Sequence, residues 1–344
     1  MRAILILLCA AALCAYGGEK GGKYHPGHYV ALEAGDALVE FPYLDEPAIR
    51  GFNIRYLWSV LEPEENGYDF SAIRRDLAVA AKHGKQLVAF LTDKTFSPKA
   101  ANPLPSYMRA YGMTNLKGGI SPKKWDRRVV EREIALCRAL AREFDANPNF
   151  EGIAWQESAP SVSRKDLADA GYTPELFRDS LIELLKGSSQ ALARSWVFWY
   201  QNFLPGKNEY LGDIAEAVLP FRVVLCGPDI LPYRTALLRN YELYARFHGK
   251  MKLASSAQHD SYRHHKDDTS NDAKAVFHRG LKPIHRDGYV TMQQIFEFGR
   301  DRLRLNYIFW SWVRWPGVKP YPGDPNPFVF EDALAVIRRN PSFN

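Results

Sequence analysis

The amino-acid sequence predicts an α/β protein built as a single-domain (β/α)8 barrel of the TIM type. Three observations lead there. Eight short runs rich in β-branched and aromatic residues recur along the chain, apolar on both faces like strands of a parallel sheet covered by helices. Stretches of helical periodicity lie between them. No glycine-rich GxGxxG turn follows the first run, so an open dinucleotide-binding sheet lacks its main signal. A length of 344 residues suits one large barrel, and 46% hydrophobic residues give it ample core.

The chain opens on MRAILILLCAAALCAYGG, a basic residue, an apolar stretch and then small residues. This is the pattern of a secretory leader. It is expected over residues 1–18, with Ala15 and Gly17 as the small-residue pair, and it implies a secreted or periplasmic protein. The stretch is short for a membrane span, so no integral span is expected. A lipid anchor at Cys14 is the lesser reading, because Ala-Ala-Leu-Cys makes a poor lipobox. Residues 19–27 are glycine-rich and read as a flexible segment, and 28–344 as the barrel domain.

The strands are expected at 28–34, 51–58, 85–92, 150–157, 195–202, 221–227, 250–258 and 304–312. The first crossover, YLDEPAIR, is short. The second helix segment, DFSAIRRDLAVAAKHG, has Ser71 as N-cap and Gly84 as its stop. WDRRVVEREIALCRALAREF is long and amphipathic, and TPELFRDSLIELLKGSSQALAR opens on Thr-Pro-Glu, a good helix start. Weaker helical segments cover 208–219, 233–247 and 291–303, and PFVFEDALAVIRRNP supplies the last helix. Long loops at 93–124 and 259–290 follow strands three and seven, at the end of a barrel where binding clefts are built.

Charge is modest, +6 from 45 basic and 39 acidic residues, with the two signs interspersed. No basic, aromatic-interleaved patch appears, so no nucleic-acid partner is expected. An acidic ligand, such as a uronate-containing glycan, fits the balance. Beyond the leader, Cys137 and Cys226 read as buried free thiols, and no Cys/His spacing resembles a zinc site. HDSYRHHK gathers His259, Asp260, His264 and His265, but adjacent histidines point apart in most conformations. No metal and no other cofactor is therefore expected, and a monomer is the default.

Polar and aromatic residues gather where the strands end. Trp58, Asp93, Gln156, Glu157, Gln201, Asn202, Asp229, Gln258, His259, Asp260, Trp310 and Trp312 would share one rim, the rim where barrel enzymes work. With 8 Trp, 18 Tyr and 19 Phe, rings that stack on sugars are plentiful. Trp310 and Trp312 alternate along the last strand, so one is expected to face the barrel interior and the other the helices.

RGFNIRYLWSVLEPEENGYDFSAIRRDLAVAAKHGKQLVAFL resembles the second and third units of (β/α)8 glycoside hydrolases of the cellulase and β-galactosidase superfamily. Trp58, Ser59, Glu62, Pro63, Gly67, Tyr68, Asp69 and Phe70 match its pattern in order and spacing. FEGIAWQES resembles the fourth strand of that superfamily, which ends in Asn-Glu. The resemblance implies that Glu157 is the general acid/base, with Gln156 in place of the usual amide. NYIFWSW resembles the strand whose Trp floors the sugar site, which makes Trp310 or Trp312 the platform. Glu62 reads as a buttress of its turn.

The pattern breaks at strand seven, where the family has a nucleophilic Glu and this chain has SSAQHDSY. Asp260 is the favoured second carboxylate there, with Asp229 and Asp93 as alternatives. The expected chemistry is hydrolysis of glycosidic bonds in an oligo- or polysaccharide. Glu157, raised in pKa by Trp155 and burial, would donate the proton, and Asp260 would act as nucleophile or base. Gln156, Gln201 or Asn202, and His259 would bind hydroxyls. The alternative is a carbohydrate-binding barrel that kept its cleft and lost catalysis. A metal-dependent hydrolase using the histidine cluster is a third reading.

Overall fold

The eight apolar runs become eight parallel strands closed into a ring, in a computed structural model that describes residues 22–232, 234–263, 290–314 and 327–343. The first three are β1 (Gly27–Leu32), β2 (Ile49–Leu57) and β3 (Gln86–Thr92). A small antiparallel hairpin, β4 (Gly112–Thr114) and β5 (Ile120–Pro122), interrupts the series. The barrel then continues through β6 (Phe150–Trp155), β7 (Trp196–Tyr200), β8 (Val223–Gly227), β9 (Lys252–Ala257) and β10 (Tyr307–Ser311). Strand β10 returns to β1, with Tyr29 opposite Phe309.

Alternate residues of each strand face opposite ways, and this divides the core in two. Tyr29, Phe90, Ala154, Phe198, Tyr200, Tyr307 and Phe309 fill the interior. Phe198 meets Tyr307 and Phe309 edge-on, with ring centroids 5.1 and 5.4 Å apart. Ile153, Trp155, Trp199 and Trp310 belong instead to the larger shell between sheet and helices. Cys137 and Cys226 are free and buried.

The outer layer comprises α1 (Trp58–Leu61), α2 (Ser71–Lys82), α3 (Arg127–Phe144), α4 (Arg164–Asp169), α5 (Pro174–Ala191), α6 (Tyr210–Ala217), α7 (Leu238–Phe247), α8 (Met292–Glu297) and α9 (Phe330–Arg339). Thr173 caps α5 by accepting the Leu176 N–H at 3.1 Å, with Pro174 in the first turn. Gly84 ends α2 with φ +64°, a conformation that costs glycine little. Ser71 is not the cap of α2: it is the first helical residue, and its N–H donates to Asp69 Oδ1 at 2.9 Å. Where the sequence suggested one helix over 291–303, α8 gives way to a π-helical turn at Phe298–Arg302. No described helix is long and apolar enough to cross a membrane.

Residues 22–26 are not a flexible tether. Lys23 Nζ donates to the Phe150 carbonyl at 2.6 Å and to Ser195 Oγ at 2.8 Å, and Trp196 Nε1 donates to the Lys23 carbonyl. His25 Nδ1 lies 2.7 Å from the fully buried Glu151 carboxylate, which also accepts from the Tyr307 hydroxyl. The segment closes the floor of the barrel. Residues 1–21, which hold the leader-like stretch and Cys14, lie outside the described residues.

At Gly152 the backbones of β6 and β7 come so close that a methyl group would sit 2.0 Å from the Trp196 carbonyl oxygen. Gly152→Ala is therefore expected to destabilise the barrel by about 3 kcal/mol, the upper range for overpacking. A denaturant midpoint unchanged by this variant would contradict the strand register.

Candidate active site

Glu157 stands just beyond the end of β6, only 14% exposed. Its surroundings come from three loops. The Lys94 ammonium, following β3, donates to the carbonyls of Glu157 and Ala159 at 3.0 and 2.6 Å and lies 3.7 Å from Glu157 Oε1. Burial, more than any charge, lowers the pKa of Lys94. Gln156 Oε1 accepts the backbone N–H groups of Asp93 and Lys94 at 3.1 and 2.7 Å. Asn202, following β7, accepts the Ala159 N–H at 2.9 Å through Oδ1, and Ser158 Oγ accepts the Asn202 N–H at 3.1 Å. The amides Gln156 and Asn202 thus hold the loop that carries Glu157, and their oxygens are spent on backbone.

Asp229 lies two residues past β8. Its segment is fixed by the Ile230 N–H donating to the Ser256 carbonyl at 2.8 Å and by Tyr241, whose hydroxyl donates to the Asp229 carbonyl at 3.3 Å. Burial, and then the negative charges of Glu157 and Asp260, push the Asp229 carboxyl up to about 7; Arg234 and Lys117 pull the other way. Asp229 therefore lies within electrostatic reach of both Glu157 and Asp260. Asp260 itself is 42% exposed, with Arg234 and Arg263 at 3.5 and 3.4 Å. It sits in a short 3-10 turn with His259, after Gln258, and both of these are partly exposed.

Four of the expected rim residues have their side chains buried. Trp58 is buried in the outer shell, its Nε1 donating to Glu62 at 2.9 Å. Glu62 also accepts from the Asn66 N–H and from Arg132, so it buttresses its turn. Asp93 is fully enclosed with Lys124 at 2.6 Å, and Lys124 lies 3.7 Å from the equally buried Glu133. Burial would raise both acids; Lys124 overcomes it at Asp93, whose pKa is lowered, whereas Glu133 stays well above its usual range. Gln201 is buried, its Oε1 accepting from Asn240 at 2.6 Å. Trp310 is enclosed, with Nε1 donating to His28 Nδ1 at 3.0 Å.

Trp310 and Trp312 do not divide between the two faces, because residues two apart share a side of a strand. Trp312 is the more open of the two, edge-on to Phe41 at 5.3 Å and covered on one face by the Arg314 guanidinium at 4.1 Å. Trp155, expected against Glu157, points outward: its Nε1 donates to Ser188 of α5 and Lys124 lies over its ring.

Basic residues of the rim were not among the expected site residues. Arg55, within β2, lies over the interior Phe90 at 4.4 Å and pairs with Glu33 at 3.2 Å. A charge inside an apolar strand was the available signal. Lys94 and Lys117 flank the ring of Phe96, each 5.2 Å from its centroid. The hairpin loop that carries Lys117 leans on the β6 loop, the Leu116 N–H donating to the Ser161 carbonyl at 2.8 Å.

Among the described residues no three His, Cys, Asp or Glu side chains gather as metal ligands, and His264 and His265 lie outside those residues. Lys124→Met would leave Asp93 and Glu133 without their cation. It is expected to cost about 3–5 kcal/mol, as for other broken buried pairs, measured as a loss of unfolding free energy in urea.

No protein-family model matches the chain, and no curated protein matches it. Among solved structures it is similar to endo-glycoceramidase II from Rhodococcus sp. in its lactosyl-enzyme intermediate, with TM-score 0.53 at 13% identity over 90% of this chain and 80% of that one. It is also similar to the GH5_18 protein from Streptomyces cattleya in complex with GlcNAc, with TM-score 0.54 at 11% identity over 92% and 80%. At such identities the likeness is one of fold: the chain is a closed (β/α)8 barrel of the architecture found in these glycoside hydrolase structures.

Proposed function

We propose that this protein is a secreted glycoside hydrolase, cleaving glycosidic bonds of an oligo- or polysaccharide with Glu157 and Asp229 as its carboxylate pair. The observation that carries the reading is the placement of two acids just past the ends of β6 and β8, at the end of the barrel where barrel enzymes act, with the charge of Glu157 among those that raise Asp229. The fold shared with glycosidases agrees with it.

The charge environment supports an exchange of the roles that the resemblance implied. Asp229, held up to about 7, keeps its proton at mildly acidic pH and about half of it at neutral pH, and is the donor to the leaving oxygen. Glu157, with the Lys94 ammonium beside it, is the oxyanion partner, attacking the anomeric carbon or taking a proton from water. Asp260 contributes charge rather than chemistry. Gln258 and His259 remain partly exposed at the rim, and the amide nitrogen of Gln156 has no acceptor among the described residues.

A sugar-binding barrel without hydrolysis is the second reading, favoured by one observation: the acid nearest β9, Asp260, is exposed and engaged by two arginines. Digestion of a panel of polysaccharides and of aryl glycosides, read as released reducing ends or nitrophenol, separates the two. Release from at least one substrate is expected. Binding to a glycan with no release from any would leave the second reading in place.

A further inference from the structure

A cavity opens next to the loop that carries Glu157. It encloses about 450 Å³, and its lining includes Arg164, Lys207 and Arg239. The three cations come from three separate elements: the start of α4, the loop after β7, and α7. One acid, Glu209, shares the lining. Lys207 is already paired, 2.9 Å from Glu175. Arg164 and Arg239 have no carboxylate within ion-pair distance among the described residues. Two exposed arginines thus line one concave space together with the apolar Leu167, Phe203 and Leu204.

The cavity is joined to the Glu157 loop by short covalent and hydrogen-bonded links. Its wall residue Val162 follows Glu157 by five positions in the chain. Phe203 follows Asn202, whose Oδ1 accepts the Ala159 N–H. Arg239 precedes Asn240, which donates to Gln201 and to the Asn202 carbonyl. A glycan lying across the rim would meet this basic cavity next.

We propose that the cavity is a subsite for an anionic substituent of the glycan, a uronate carboxylate or a sulfate ester, held by Arg164 and Arg239. The inference rests on the reading of the rim as a sugar cleft. Planar guanidinium forks match the paired oxygens of both groups. The ring faces of the same residue would lie on Phe203, since sugars present an apolar face to aromatic rings.

The test is calorimetric binding to the full chain at low salt, with three probes of equal length: a glucuronic-acid-containing oligosaccharide, its carboxyl-reduced neutral counterpart, and a sulfated oligosaccharide. At least one charged probe is expected to bind tenfold or more tightly than the neutral one, and which of them does so identifies the anion. That advantage should shrink as salt is raised. Arg164→Ala/Arg239→Ala should abolish it while leaving neutral-probe affinity and melting temperature as they were. Equal affinity for all three probes, or an advantage that survives in the double variant, overturns the subsite alone. No binding of any probe overturns the sugar-cleft reading with it.

Discussion

Glu157→Gln is expected to lower turnover of any glycosidic substrate by roughly 10³- to 10⁵-fold, the range seen when an essential acid, base or nucleophile is removed. Affinity for the same sugar should change far less. The substitution is nearly isosteric, and the loop it sits on is held by contacts that do not involve the carboxylate. Lys94 bonds the carbonyls of residues 157 and 159, and Asn202 takes the Ala159 N–H. The fold should therefore survive, and a melting curve would verify that. The role is read by a second variant: Glu157→Ala with added azide should recover activity, because a small anion can occupy the vacated space and attack the anomeric carbon. If azide does nothing there but rescues an Asp229 variant, the two roles are those implied by the resemblance. If Glu157→Gln retains most of its turnover, the carboxylate pair is not the machinery.

The barrel was legible because parallel barrel strands are apolar on both faces, and eight such runs stand out between helical segments. The site was legible only in part. Glu157 and Asp229 could be placed on the rim by counting strands, but the charge coupling between them joins residues more than seventy positions apart. Asp93 looked like a rim acid because its partner Lys124 is thirty-one positions away, across a hairpin. The pairing removes Asp93 from the cleft and makes it part of the scaffold. The floor plug failed differently: Gly-rich sequence reads as a tether, yet Lys23 and His25 find buried carbonyl and carboxylate partners that only the closed barrel supplies. Lys94 and Lys117 lie in loop sequence where a lysine is unremarkable, and of the rim cations Arg55 alone carried a signal, since it interrupts an apolar strand.

Asp229→Asn should make the protein less active and more stable at once. On substrates with poor leaving groups, turnover is expected to fall roughly 10²- to 10⁴-fold, the usual contribution of a proton donor. On 2,4-dinitrophenyl glycosides, whose leaving group needs no proton, it should stay near the parent value. The stability effect follows from the sign of the shift. The folded-state pKa is raised, by burial and then by Glu157 and Asp260, from the ordinary value of 3.8 to about 7. Between those limits the native chain holds a proton that the unfolded chain has lost, so stability falls as pH rises through that window, and the full cost is present above pH 7. Asparagine has no proton to lose. The variant should therefore gain on the order of 1–3 kcal/mol at pH 8, a few degrees in Tm, and almost nothing at pH 4. The declining limb of the pH–rate profile near 7 should vanish with the side chain. An aspartate that merely shaped its turn would behave in the opposite way, losing stability at both pH values when its carboxylate is replaced. Stability held back by a residue that the reaction needs is the mark of a functional group kept under electrostatic stress.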